Sequence, residues 1–374
     1  MLDTLTFFNK IESQFSSNLP FVAYAKPNSD DVIALLQEDS HLFEVKDFNE
    51  SGFIFAPFNN KDKTVLFPLE KTKYLLTNRV EFKNFEKPYL NEKNKENQSK
   101  YFHLKLVEKG LIAIKEKQFF KVVLSRKEEL SFTKYNVFSI FKSLLNIYKT
   151  AFVYCWYHPK IGLWLGATPE RFLKISGQQF STMALAGTQT YKGSLEVQWQ
   201  KKEIEEQQFV TDFLKSSLTP FVDQLKLSDV KTIKAGSLLH LQTDVNALLK
   251  QNMKISALIK NLHPTPATCG LPKDNAKAFI LENENYNREF YTGFLGELNL
   301  KQKSSRNTNR RNVENNAYVT VKNVTNLYVN LRCMQIKDDK ALLYIGGGIT
   351  KDSIPELEWQ ETINKTKTMK SILE

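Results

Sequence analysis

The chain has 374 residues, of which 41% are hydrophobic, 12% aromatic and 25% charged, ordinary globular usage that excludes a disordered, collagen-like or disulfide-scaffold protein. Cys155, Cys269 and Cys333 are too dispersed for a local zinc motif and too few for a disulfide framework, so a reducing compartment without thiol chemistry is predicted. The 52 Lys and Arg against 41 Asp and Glu leave a formal charge of +11, which predicts affinity for anions without choosing among nucleic acid, membrane and an acidic metabolite.

From Met1 to about Lys87, short aromatic-rich runs at Phe21 to Tyr24, Gly52 to Phe58 and Thr64 to Phe67 predict strands separated by polar turns. Met1 to Pro20 lacks a leader pattern, and no run of about eighteen apolar residues occurs anywhere. A soluble, cytoplasmic protein with no membrane partner is expected. The stretches Leu90 to Lys100 and Lys301 to Asn312 hold much of the excess positive charge and read as solvated loops. Between them, Leu104, Leu106, Leu111 and Ile114 predict one apolar helical stripe over Tyr101 to Lys115. Strands are predicted at Phe119 to Ser125, Ala151 to Tyr157, Leu163 to Leu165 and Phe172 to Ile175.

Trp199 to Leu214 sets Ile204, Phe209, Val210 and Phe213 among charges and predicts an amphipathic helix whose acidic face includes Glu206. A helix near Lys273 to Glu282 follows, then strands at Gly293 to Leu300, Tyr328 to Ile336 and Ala341 to Ile345. The last element is a helix with Pro355 in its first turn, acids early and lysines late, as the helix dipole favours. Without strict βαβ alternation, the pattern predicts one large α+β domain with mixed or antiparallel sheets flanked by helices.

Gly346, Gly347 and Gly348 follow a predicted strand and would let a ligand approach the backbone; they read equally well as a tight turn, and they fit no dinucleotide or P-loop pattern. Glu358 and Glu361 share a helical face with Lys365, which suits either a hard cation such as Mg2+ or an exposed Glu-to-Lys pair. Taken singly, Lys121 and Glu170 read as solvated charges.

In order along the chain stand KVVLSR (Lys121 to Arg126), LGATPERFL (Leu165 to Leu173), ALAGTQ (Ala184 to Gln189), LHL (Leu239 to Leu241), LHPTPA (Leu262 to Ala267), REFYTGFLG (Arg288 to Gly296), LRC (Leu331 to Cys333), and GGGI followed by PELEWQETINK (Pro355 to Lys365). Together these resemble the chorismate-utilising enzymes, and within them the isochorismate synthases, over about Tyr101 to Lys365. The resemblance implies that 1–100 is a variable, strand-rich part completing the same domain and that 101–374 is the chorismate-binding catalytic region.

It also implies Mg2+-dependent conversion of chorismate to isochorismate, with water added at ring carbon 2 and the hydroxyl lost from carbon 4, for menaquinone or siderophore biosynthesis. Lys121 would be the general base that activates water, which requires a lysine whose pKa is lowered by burial or cationic neighbours. Glu170 would be the general acid, which requires a raised pKa. Glu206 and Glu361 would bind Mg2+, with Glu358 beside them or acting through a metal-bound water. Arg332, Lys365 and the backbone at Gly346, Gly347 and Gly348 would contact the second carboxylate. Tyr291, His240, Gly187 and Thr188 would line the pocket, although His240 reads equally as a core histidine.

In anthranilate synthases, which use ammonia, glutamine commonly replaces the lysine found here at 121. Ala267 matches the isochorismate synthase pattern, where anthranilate, salicylate and aminodeoxychorismate synthases more often carry a hydroxyl residue. Three features depart from the family: Gln207 stands where histidine often follows the metal glutamate, the stretch between ALAGT and Glu206 is short, and Asn299 to Thr325 is longer than the usual hairpin. A nucleic-acid-binding role for Arg306, Arg310 and Arg311 lacks any accompanying motif, so chorismate is the expected partner and nucleic acid is not. A monomer or weak homo-oligomer is expected.

Overall fold

The computed structural model describes residues 1–82, 88–91, 96–236, 238–304 and 320–374. Within them lie two ten-stranded sheets, all strand pairings antiparallel, and seven α-helices. The predicted α+β architecture is therefore observed in its antiparallel form. The first sheet centres on Lys121–Lys134, Lys340–Ile349, Cys333–Lys337, Gly162–Thr168, Phe152–His158 and Phe21–Ala25, in that order. The second centres on Leu238–Leu249, Gln179–Thr190, Arg171–Ser176, Thr320–Val329, Phe294–Ser304 and Gly52–Ala56.

Strand periodicity explains why so many of these strands are apolar on both sides. In Phe152–His158, Phe152, Tyr154 and Trp156 point between the sheets, whereas Val153 and Cys155 point to the helices. The inter-sheet layer is aromatic: Phe67 stacks on Trp156 at 5.3 Å, Trp164 on Tyr344 at 5.3 Å and Tyr291 on Tyr344 at 5.5 Å. Each such pair adds roughly 0.5–1.5 kcal/mol beyond area burial. Helices Thr4–Ser16 and Val137–Ile147, with the end of Pro355–Leu373, cover the outer face of the first sheet. Helices Lys201–Leu218 and Ile255–Leu262 cover that of the second.

Several expectations are corrected. The first element is a helix, Thr4–Ser16, capped by the Asp3 carboxylate, which accepts from the Thr6 amide; Phe7, Phe8 and Ile11 form its buried face. The stretch Leu90 to Lys100 is not wholly a loop, because the helix begins at Glu96 and runs to Lys115. That helix buries His103, Leu106, Val107, Gly110 and Ala113, while Leu104, Leu111 and Ile114 are only half-buried. Its helical propensity overrides a polar composition that read as linker. Lys301 to Ser304 extend a strand, and 305–312 of the expected basic loop, like 92–95 of the linker, lie outside the described residues.

The expected strand Tyr328 to Ile336 is broken. Thr320–Val329 belongs to the second sheet and Cys333–Lys337 to the first, with Arg332 at φ 47° between them. A matching crossing joins Gly162–Thr168 to Arg171–Ser176. The two crossings are tied, the Val329 amide donating to the Glu170 carbonyl at 3.0 Å and the Ala167 amide to that of Arg332 at 3.1 Å. Glu170 and Arg332 thus emerge together where the sheets part.

Cys155, Cys269 and Cys333 are free and buried, and burial pushes the Cys269 thiol up to about 12, which removes thiolate chemistry there. No described helix is long and apolar enough to cross a membrane.

Candidate active site

A cleft enclosing about 890 Å³ of empty space, its open mouth included, lies at these crossings. Of the residues singled out in the sequence, Glu170, Gly187, Thr188, Glu206, His240, Ala267, Tyr291, Arg332, Gly346, Gly347, Gly348 and Lys365 line it. Lys121, Glu358 and Glu361 do not line that surface and instead stand behind or beside it: Lys121 and Glu358 are buried, and Glu361 edges a smaller neighbouring hollow that shares Thr188.

The three glycines are part of a strand, not a turn. Gly346, Gly347 and Gly348 sit opposite Ser125, Leu124 and Val123. Their role is clearance. A Cβ on Gly348 would collide with Glu206 Oε1 and lie 3.2 Å from Lys121 Cε, whereas one on Gly347 would stand 3.4 Å from Glu361 Oε1 and 3.6 Å from Glu358 Oε2. Gly348→Ala is therefore expected to displace Glu206 and lower activity at least about tenfold with little change in melting temperature. Gly347→Ala should cost far less, since its Cβ meets ordinary contact distances. Steady-state kinetics and thermal melts of the two variants check this contrast.

Lys121 shares a strand face with pocket-lining Val123, and its Nζ lies 2.9 Å from Glu206 Oε1. Burial pushes the Glu206 carboxyl up, but the Lys121 ammonium, with Lys365 and Lys202, outweighs burial and holds it below its usual range. Glu206 is thus ionised. Glu170 is the opposite case: burial raises it to about 8 against the pull of Lys121 and Arg332, so it carries its proton at neutral pH. The raised value expected of a general acid is present.

His240 is neither an isolated core histidine nor a titrating group. Its Nδ1 lies 2.8 Å from the Gly187 carbonyl, which only accepts, so Nδ1 carries the hydrogen. Nε2 is then free to accept from Arg332 Nη2 at 2.8 Å. Burial and Arg332 push its pKa down to about 3, in keeping with this neutral tautomer. Arg332 Nη1 donates to the Ala235 carbonyl at 3.0 Å, and burial lowers its pKa to about 10. The guanidinium is thereby fixed in the wall of the cleft, near enough to Glu170 for each to feel the other's charge.

Glu358 and Glu361 do share one face of Pro355–Leu373, and that face is turned inward toward Gly347. The exposed-helix reading fails for Glu358, which is 1% exposed and forms an ion pair with Lys202. Burial and Glu361 raise its pKa, against Lys202. Glu361 pairs with Lys365 at 2.7 Å, and Lys365 Nζ also donates to the Gly346 carbonyl at 3.0 Å. The sequence had assigned Glu206, Glu358 and Glu361 to Mg2+. Among the described residues no three acidic, histidine or cysteine side chains are gathered closely enough to form a ready chelate, because each of these carboxylates turns to its own lysine. Their chemistry nevertheless suits a hard cation: the donors are all carboxylate oxygens, and Glu358 Oε2 is buried without a hydrogen-bond partner.

Sequence reasoning missed Lys202 and Arg288. Lys202 stands four residues before Glu206, a spacing that places both on one side of the helix and was available as a signal. Arg288 is buried and ties Glu284, the Thr268 and Val123 carbonyls and Thr292 together while packing over Phe58 and Tyr291. It thereby fixes the wall that carries Ala267, Thr268 and Tyr291. Ile204 of the predicted apolar stripe is exposed; the buried face of that helix is Gln207, Val210, Thr211, Leu214 and Leu218. Gln207 does not face the acids' lysines, since its Nε2 donates to Thr211 and Thr243 hydroxyls in the core.

A family profile described as chorismate binding enzyme matches residues 56–305, and a second profile of the same description matches 316–371. The isochorismate synthase MenF of Pasteurella multocida (strain Pm70) is 29% identical over 294 residues, covering 72% of this chain and 60% of that protein. The chain spans about half the length of the curated relatives it matches. Among solved structures, a Bacillus anthracis protein described as a 2,3-dihydroxybenzoate-specific isochorismate synthase, DhbC, superposes with a TM-score of 0.75 at 21% identity, covering 97% of this chain and 99% of that one. The menaquinone-specific isochorismate synthase MenF from Escherichia coli gives 0.74 at 20% identity, covering 95% and 89%.

Proposed function

Because the chain belongs to the chorismate binding enzyme family, we propose that it converts chorismate to isochorismate, for menaquinone or siderophore biosynthesis. The observation that carries this reading is a buried, protonated Glu170 in the cleft that Glu206 lines and Lys121 backs, close enough to Lys121 for its charge to be felt. One group can give a proton while the other takes one.

In the proposed reaction the Lys121 ammonium first releases its proton to solvent, and the free amine then removes a proton from water as the oxygen bonds to ring carbon 2. Both conjugated ring double bonds shift by one position, and the hydroxyl on carbon 4 leaves as water with the proton of Glu170. The enzyme is left with an ammonium and a carboxylate, and exchange with solvent restores both. Substrate and product are isomers, so no oxidant or co-substrate is needed. Arg332, oriented by His240, and Lys365 meet the anionic side of the substrate, while Gly187, Thr188, Ala267, Tyr291 and the Gly346 to Gly348 strand shape the cavity around the ring. Mg2+ held by Glu206, Glu358 and Glu361 would neutralise the acidic group and supply positive charge for a ring carboxylate.

Incubating the purified protein with chorismate and MgCl2 is expected to give isochorismate as the main product, resolved by chromatography. Salicylate with pyruvate, or anthranilate when ammonium is supplied, as the main product would overturn the assignment in favour of another chorismate chemistry.

A further inference from the structure

We propose that Lys202 is a resident counter-ion that competes with Mg2+ for Glu358 and so sets how tightly the ion is held. The proposal rests on the metal reading above. Lys202 lies in the first turn of Lys201–Leu218, one helical turn from Glu206, and reaches across to the C-terminal helix to pair with the buried Glu358. It contacts Glu358, and the charges of Glu361 and Glu206 also act on its ammonium.

The three acids are each neutralised by a different lysine, and the three pairs are not equivalent. Lys121 is the proposed base. Lys365 pairs within its own helix and is also held by the Gly346 carbonyl. Lys202 is the lysine brought from a separate helix to an acid that is 1% exposed, and that acid keeps a second oxygen, Oε2, buried without a partner beside the Gly347 gap. A buried carboxylate left without a cation is strongly disfavoured, so a lysine fills the place when no divalent ion does. A cation arriving at Oε2 must then either evict the ammonium from Glu358 or tolerate its charge at close range. Both cases oppose binding.

The test is isothermal titration calorimetry of the full chain with MgCl2, alongside thermal melts with and without MgCl2. Lys202→Gln removes the competing charge and is expected to bind Mg2+ at least about tenfold more tightly than the wild type. Its metal-free form should melt lower, and MgCl2 should raise its melting temperature by more than it raises that of the wild type. Lys202→Arg keeps the charge and grips a carboxylate with two donors, so it is expected to bind Mg2+ several-fold more weakly than the wild type. Equal or weaker Mg2+ binding by Lys202→Gln overturns the proposal. Should the glutamine variant not fold, equal or tighter binding by Lys202→Arg does so instead. Glu361→Gln separates the two readings: if it binds Mg2+ as the wild type does, or the wild type gives no heat of binding, the metal site itself is misplaced and the role of Lys202 falls with it.

Discussion

Glu170→Gln is expected to lower kcat by about a hundredfold to ten-thousandfold, the range over which a positioned proton donor acts, with a much smaller change in KM. Glutamine keeps the shape and the capacity to donate a hydrogen bond but cannot release a proton. The wild-type kcat should fall as pH rises through about 8, where the Glu170 proton is lost, and the variant's residual rate should lack that limb. The same substitution should remove a loss of stability in alkali. A carboxyl raised from 4.5 to about 8 on folding contributes stability that is complete below its unfolded pKa and is lost as pH rises through its folded one. The neutral amide escapes that loss, so between pH 6 and pH 9 the variant should gain about 3 kcal/mol of stability relative to the wild type. Chemical denaturation at pH 6 and pH 9 reads it directly; the same stability difference between the two proteins at both pH values would refute a buried, protonated Glu170.

Lys121→Met should be as damaging to kcat, again by about a hundredfold or more, because methionine preserves the packing of the stem and removes the amine. Its fold should survive, since Lys202 and Lys365 still act on the Glu206 carboxylate. Lys121→Arg distinguishes a base from a fixed positive charge. Guanidinium pairs with Glu206 but does not give up a proton near neutrality, so arginine should fail to restore turnover. Recovery of most of the wild-type kcat by arginine would instead assign Lys121 an electrostatic role.

The elements that sequence reading found share one property: their burial follows a simple repeat. Phe152–His158 and Lys340–Ile349 are β-rich apolar runs, and Pro355–Leu373 carries a proline at its start and lysines near its end. Thr4–Ser16 was missed because its buried phenylalanines sit among other aromatics in a stretch that otherwise yields strands. Tyr328 to Ile336 reads as one strand because residues buried in either sheet are equally apolar; hydropathy carries no mark of the change of sheet at Arg332. That crossing delivers Arg332 to the cleft.

The site was legible as a set of residues and not as an arrangement. Lys121, Glu170, Glu206, Glu358 and Glu361 could each be picked out by motif, but not the pairing of every metal-assigned acid with a lysine. Such pairs join segments up to 156 residues apart, as Lys202 and Glu358 are, and nothing local to either residue encodes its partner.

The sequence by itself determined the family, the α+β character and the identity of the proton-transfer candidates, because these reside in residue types and in spacings along one chain. Only the tertiary structure decided their ionisation and their company. Desolvation and Coulomb fields depend on distances through space, which is why two glutamates with the same intrinsic acidity end as a protonated Glu170 and an ionised Glu206 in a single cleft.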